Sequence, residues 1–406
     1  MINFIEGGVC AAKGFRASGI HVGVKTNNTD KKDLALIVAD RDCSAACVYT
    51  RNVVKASPLH VTKEHLENGQ ARAIIANSGN ANACAPDGDV NARRMCAAAA
   101  DALGIDVNDI IVASTGVIGQ RLNIEVIENG ASELVSKLSY NGSKDAALAI
   151  MTTDLTMKEL AIECTVGGKT VKIGGIAKGS GMIHPNMGTM LAFLTTDCAI
   201  SPEMAGKALA RAAEVSFNRI SVDGDTSTND MLSVLASGMA ENDVITEPGD
   251  DYCEFAQALN TLCTELAKMI AADGEGASHF VTCKVSGAES ETDAEALSKS
   301  VISSTITKAA LFGADANWGR VLCAMGYSGV DFDQESVDIA FESGEGRITV
   351  CEKGRGLIFD ENFAKKILTE HDITIDISMT AGQAECTCWG CDITYDYIKI
   401  NGDYRS

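Results

Sequence analysis

Residues 178–197, KGSGMIHPNMGTMLAFLTTD, decide how the rest of the chain is read. The first half is loop chemistry, with Lys178 followed by Gly179-Ser180-Gly181 and then His184-Pro185-Asn186. The second half turns apolar at Met190 and runs through Leu191, Ala192, Phe193 and Leu194 to Thr195-Thr196-Asp197. A short apolar run behind Gly/Pro punctuation predicts a buried strand beginning near Thr189. Thr189 then stands where a loop enters a sheet, with Gly188 directly before it. If the Gly188–Thr189 bond is cut, the freed α-amine lies beside the threonine's own hydroxyl. Such an amine titrates near neutrality and can serve as base for a nucleophilic hydroxyl. Taken alone, the threonine reads better as an ordinary β-former at a strand start.

Composition narrows the setting. A chain of 406 residues can bury a large core and is expected to form two domains or lobes. Apolar residues at 46% and aromatics at 5% describe a globular protein rather than a disordered one. The net charge of −21 argues against nucleic acid or an anionic membrane surface as partner. It leaves room for a small anionic substrate held by a local lysine. No apolar stretch approaches the ~20 residues that span a bilayer. The start, MINFIEGGVC, lacks the pattern of a signal peptide, so a cytoplasmic location is expected. Fifteen cysteines, an odd number in apolar contexts, read as reduced and buried. Cys386, Cys388 and Cys391 form C-x-C-x-x-C, but the nearest candidate for a fourth ligand is His371. Alternate positions on one strand face suit Cys386 and Cys388 better, and no metal is expected.

Strands are expected at 34–39, 45–50, 73–76 and 110–113, and a hairpin at 162–166 with 170–173. Further strands are expected at 338–341, 348–351, 373–377 and within 385–400. Helical spacing and caps predict helices at 90–103, 201–215, 252–272, 293–311 and 361–369. Residues 77–82 (NSGNAN) read as a polar turn, as do Ser114-Thr115-Gly116. A glycine after a small hydroxyl residue can aim backbone N–H groups at a developing oxyanion, with the Thr115 hydroxyl as a further donor. Gly167-Gly168-Lys169-Thr170 fails as a phosphate loop, because Glu163 stands where its first glycine belongs and no helix follows. Residues 223–230 (DGDTSTND) fail as a calcium loop, since Val234 occupies the twelfth position. Glu275, between two glycines, can approach a ligand closely. These elements indicate α+β layering rather than a doubly wound sheet.

The motifs GFRASGI, NSGNANA, STGVIG, KGSGMIHPNMGTMLAF, FNRISVDGDTSTND, DGEGASHF, FGADANWGRVL and WGCDITYDYIKING follow one another in order. In this the chain resembles the ornithine acetyltransferase (glutamate N-acetyltransferase) family over nearly its whole length. The resemblance implies an α/β/β/α-type sandwich of two lobes and the self-cleaving, N-terminal-nucleophile kind of enzyme. It implies cleavage before Thr189 into an α chain, residues 1–188, and a β chain, residues 189–406. Gly188 stands where alanine is commoner in the family. Thr115 and Gly116 match the oxyanion donors; Thr152, Lys178, Thr189, Glu275, Asn401 and Ser406 match the substrate contacts. Spacing does not separate Thr152 from Thr153. The implied reaction moves acetyl from N-acetylornithine to glutamate with no cofactor, acetyl-CoA being a possible co-substrate, in a heterotetramer of two α and two β chains. Two other readings stand beside it: an N-terminal-nucleophile amidohydrolase or aminopeptidase, and an acidic metal-binding protein.

Overall fold

The computed structural model of the protein describes residues 2–25, 30–184 and 190–403. Among these residues two sheets organise the chain. In the larger, of nine strands, Asn3–Ile5, Lys158–Val166, Lys169–Lys178, Leu191–Thr196, Met231–Ala236, Leu34–Tyr49, Gln70–Asn80 and Ile110–Val117 lie side by side in that order. Phe15–Ile20 pairs with Leu34–Tyr49 off this path. The decisive strand is Leu191–Thr196, buried throughout, antiparallel to Lys169–Lys178 and parallel to Met231–Ala236.

Alternation along these strands produces the layers, because successive side chains face opposite ways. Ala35, Ile37, Ala39, Cys43, Ala45, Leu191 and Phe193 share an inner core with helix Ser143–Ile150. Leu34, Leu36 and Val38 face outward, under helices Gly88–Leu103 and Ile124–Ser136. Ala192, Leu194, Leu232 and Val234 face outward further along, under helices Pro202–Val215 and Asp250–Ala272. A shared inner core with helices on both outer faces is the α/β/β/α layering. Helix Asp250–Ala272 buries Phe255, Leu259, Leu262, Leu266 and Ile270 completely, each contributing about 1.5–3 kcal/mol over an exposed position.

The smaller sheet has seven strands, in the order Arg355–Gly356, Gly346–Glu352, Asp338–Ser343, Asp372–Ser378, Phe280–Ala288, Ala384–Cys391 and Ile220–Ser221. One face has its own core beneath helices Glu291–Ser303, Trp318–Gly326 and Glu361–Leu368. Trp389 and Cys391 on the other face join the core around helix Asp250–Ala272, which fastens this second lobe to the first.

Several sequence expectations need correction. Residues 34–39 and 45–50 are one sixteen-residue strand, with a register slip between Val38 and Cys43. Residues 77–80 and 114–117 are not turns but the ends of strands Gln70–Asn80 and Ile110–Val117. The helix expected at 293–311 is two, Glu291–Ser303 and Thr305–Phe312, because Ser304 leaves the helix and its side chain caps the second. Residues 395–400 are helical rather than extended. The strand stops at Cys391, and the Thr394 hydroxyl accepts from the N–H groups of Asp396 and Tyr397 to start helix Tyr395–Gly402. Cys386 and Cys388 lie buried in the second core with Cys283, and every cysteine is free. Among the described residues no cluster of His, Cys, Asp and Glu is arranged to hold a metal, and no helix is long and apolar enough to cross a membrane.

Candidate active site

Thr115 and Gly116 end a strand on one side of a cleft of about 350 Å³. Gly116 has φ 134, and a Cβ there would lie 2.3 Å from the Gly79 carbonyl carbon, so only glycine fits. The peptide before Thr115 is fixed by Asn229, whose amide donates to the carbonyls of Ser114 at 2.8 Å and Ala81 at 2.6 Å. The NSGNANA residues add neutral support. Asn77 accepts from the Ser114 hydroxyl at 2.6 Å and donates to the Asn80 carbonyl at 2.9 Å. Asn80 in turn donates to the carbonyls of Gln120 and Arg121.

Lys178 ends its strand directly across from Leu191 and is buried. Its ammonium donates to Thr115 Oγ1 at 3.3 Å. Because the lysine occupies a lone pair of that oxygen, the Thr115 hydroxyl proton is left for an acceptor in the cleft. Burial pushes the Lys178 pKa down, while the Asp154 carboxylate works against the shift. Asp154 belongs to a buried ion cluster. Lys158 donates to Asp154 at 2.7 Å and to Asp273 at 2.5 Å. Asp154 also accepts the N–H of Gly179 at 2.7 Å and of Thr152 at 3.0 Å. Asp273 accepts the N–H groups of Leu155 and Thr156, and its carbonyl accepts the Ser180 hydroxyl. Burial pushes the Asp154 carboxyl up, but Lys178, Lys158 and these donors reverse that and hold it well below the usual carboxylate range.

Glu275 follows two residues after Asp273 and is also buried. Its carboxylate packs against Gly181, where a Cβ would come within 2.3 Å, and accepts from the Asn401 side chain at 2.8 Å. Six sequence-derived positions therefore line one cleft: Thr115, Gly116, Thr152, Lys178, Glu275 and Asn401. Thr153 lines it too, so the pair remains undivided. Gly188, Thr189 and Ser406 lie outside the described residues. Sequence reasoning missed Asn229 and Asp230, which also line the cleft, and the cluster Asp154–Lys158–Asp273 behind it. The dense polar run 223–230, ending directly before the buried strand Met231–Ala236, was the available signal for the first two.

An α+β sandwich whose cleft joins a hydroxyl donor, a bare glycine backbone, a buried lysine and a buried glutamate defines an enzyme of the acyl-transferring class. The chain matches the ArgJ family over residues 16–406. It is 45% identical over 406 residues to the arginine biosynthesis bifunctional protein ArgJ of Caldanaerobacter subterraneus subsp. tengcongensis, covering 100% of both chains. It is 44% identical to a solved arginine biosynthesis bifunctional protein ArgJ from Bacillus halodurans, with a TM-score of 0.50, covering 53% of this chain and 99% of that one. An ornithine acetyltransferase from Mycobacterium tuberculosis, solved with ornithine, is 37% identical and covers 47% of this chain and 100% of that one, with a TM-score of 0.43. The chain belongs to the ArgJ family and is an acetyltransferase.

Proposed function

We propose that this enzyme moves the acetyl group of N2-acetyl-L-ornithine to L-glutamate through an acetyl ester on Thr189, after cutting its own chain between Gly188 and Thr189. The observation that carries this reading is the convergence of Thr115, Gly116, Thr152, Lys178, Glu275 and Asn401, from distant segments, on one cleft beside Met190 and Leu191. In the cut, Thr189 Oγ attacks the Gly188 carbonyl carbon, the amide C–N bond breaks, the nitrogen becomes the new α-amine, and water hydrolyses the resulting ester. In turnover the amine takes the hydroxyl proton as Oγ attacks the acetyl carbon, and ornithine leaves with its amine protonated. The α-amine of glutamate then attacks the acetyl ester and frees Thr189. Thr115 and Gly116 stabilise the tetrahedral oxyanion, at about 3–4 kcal/mol per donor. Lys178 holds a substrate carboxylate or tunes the Thr189 amine, Glu275 pairs with the ornithine side-chain ammonium, and Thr152, Asn401 and Ser406 complete the contacts. An amide-for-amide exchange is nearly balanced in energy and requires no metal or nucleotide.

The lengths of the relatives support two pieces. The curated relative aligns with the whole chain, whereas the solved Bacillus halodurans chain is matched almost entirely by 53% of it, close to the share from residue 189 onward. The pieces are an α chain of residues 1–188 and a β chain of residues 189–406, paired into a heterotetramer in the cytoplasm. Wild type should give two bands on a denaturing gel and Thr189→Ala one. An uncut wild type with full activity refutes the mechanism. Labelled acetylornithine should yield labelled N-acetylglutamate only when glutamate is present; labelled acetate alone would instead mark a hydrolase. The same assay with acetyl-CoA as donor tests the second activity suggested by the word bifunctional in the relative's name.

A further inference from the structure

The run SVDGDTSTND, residues 221–230, whose last eight residues failed above as a calcium loop, grips the chain on both sides of the segment that holds the proposed cut. Upstream, the Asp223 carboxylate accepts the N–H of Met182 at 2.6 Å and of Ile183 at 2.9 Å. The N–H of Val222 donates to the Ile183 carbonyl at 2.6 Å, and the Thr226 hydroxyl to the His184 carbonyl at 2.8 Å. Ile183 and Thr226 form a β-bridge, and the His184 ring lies 3.1 Å from the Ser221 hydroxyl. Downstream, the N–H of Met231 donates to the Met190 carbonyl at 3.0 Å, and Met231 sits in register with Leu191. One continuous stretch, 221–231, thus fixes the chain before the segment and after it. The stretch is itself tied to the first half of the protein, through Thr50 and Ala56 to the carbonyls of Asp230 and Thr228 and through Asn229 to Ala81 and Ser114.

The upstream grip holds backbone that would not take this shape unaided. Met182 has φ 56, a left-handed conformation that side-chain-bearing residues seldom adopt. Its N–H is one of the three that Asp223 accepts, with those of Ile183 and Asp225, so the carboxylate stabilises the strained residue. Burial raises the Asp223 pKa, against the N–H groups of Met182, Asp225 and Ile183, with the charge of Asp225 adding to the rise. The Tyr397 hydroxyl donates to the same carboxylate at 3.3 Å. A half-buried carboxylate here gives the two consecutive peptide N–H groups one acceptor spanning both.

We propose that Asp223 is a positioning residue for the self-cleavage: its two hydrogen bonds to Met182 and Ile183, with the Thr226 bond to His184, set the register in which the chain enters the cut segment. This inference rests on the self-cleavage reading above. Intramolecular attack depends steeply on alignment, and a displacement of about 1 Å can cost about a hundredfold. Asp223 lies outside the substrate cleft, so its effect should fall on maturation rather than on turnover.

The test follows full-length wild type and Asp223→Asn after purification, by denaturing gel and intact mass, with melting temperature and acetyl transfer per cut molecule measured alongside. Asparagine retains one acceptor and turns a donor toward an N–H. The expected result is cleavage slowed by about ten- to a hundredfold, with a cooperative melt and a wild-type transfer rate per cut molecule. Cleavage at the wild-type rate overturns the inference, as does an equal loss of cleavage and of transfer per cut molecule, which would mark a general structural role. If Asp223→Asn shows no cooperative melt, Thr226→Val decides in the same way: several-fold slower cleavage supports the inference and an unchanged rate overturns it. A wild type that stays whole overturns the self-cleavage reading and this inference with it, whereas a cut wild type beside an equally fast variant overturns this inference alone.

Discussion

On one side of the cleft, Thr115 and Gly116 are backed by uncharged amides and hydroxyls: Asn77, Asn80, Ser114 and Asn229. On the other, Thr152 and the Gly179 peptide after Lys178 are bonded to the ion cluster Asp154, Lys158 and Asp273, with Glu275 two residues after Asp273. Both walls are largely buried and well bonded, yet they suit different tasks. Neutral dipoles hold a strand end in one orientation at any pH, as the oxyanion role proposed for Thr115 and Gly116 requires. An ion cluster sets the local potential as well as the geometry, and makes the wall depend on every one of its charges.

The difference can be broken most forcefully at Lys158. Lys158→Met leaves two buried carboxylates facing one another and should cost about 3–5 kcal/mol of folding stability, read from the urea midpoint; a loss under about 1 kcal/mol would mean that the ions do not hold their wall. At the neutral wall the effect should appear in rate. Thr115→Ala should lower kcat by about 10²–10³ with little change in melting temperature, and Thr115→Ser should restore most of it. An equal loss in both variants would remove the hydroxyl from the oxyanion role. Gly116→Ala drives a methyl group into the Gly79 peptide, and about 1–3 kcal/mol of destabilisation is expected, measured by thermal melts. An unchanged melt would show that the wall can give way.

The gentlest test is acidity. Asp154 is held below the usual carboxylate range in the folded protein. Its contribution is therefore complete above the unfolded value of about 3.9 and is lost as pH falls from there toward the folded value. Urea midpoints between pH 5 and pH 3 should fall more steeply for wild type than for Asp154→Asn, by at most about 1.4 kcal/mol per pH unit. Asn77→Ser, on the neutral wall, should leave that slope unchanged. Parallel slopes for wild type and Asp154→Asn would show that Asp154 does not titrate as placed.

Local signals carried much of this into the sequence. Ser201-Pro202 announced helix Pro202–Val215, and the Ser201 side chain does accept from the Met204 N–H. The helical spacing of Phe255, Leu259, Leu262 and Leu266 announced Asp250–Ala272. Thr115, Gly116 and Glu275 were marked by their own local chemistry, whereas Thr152, Lys178 and Asn401 were reached as cleft residues only through resemblance. What stayed hidden depends on contacts between remote segments. Lys158 and Asp273 are 115 positions apart, and no local pattern announces that they meet. Residues 114–117 have turn composition, yet pairing with residues 77–80 keeps them extended. Val38 and Cys43 belong to one strand only because Gln70–Asn80 pairs along its length through a slip.

The strand order of the larger sheet has a consequence for the life of the molecule. Leu191–Thr196 and Met231–Ala236 are sewn between Lys169–Lys178 and Leu34–Tyr49, so later chain is interleaved with earlier chain. Two polypeptides made from this one would be woven together rather than docked, and neither could be exchanged for a fresh copy without unravelling the sheet. Damage to one half would then condemn both, and such a pair would wear out and be destroyed as a single object.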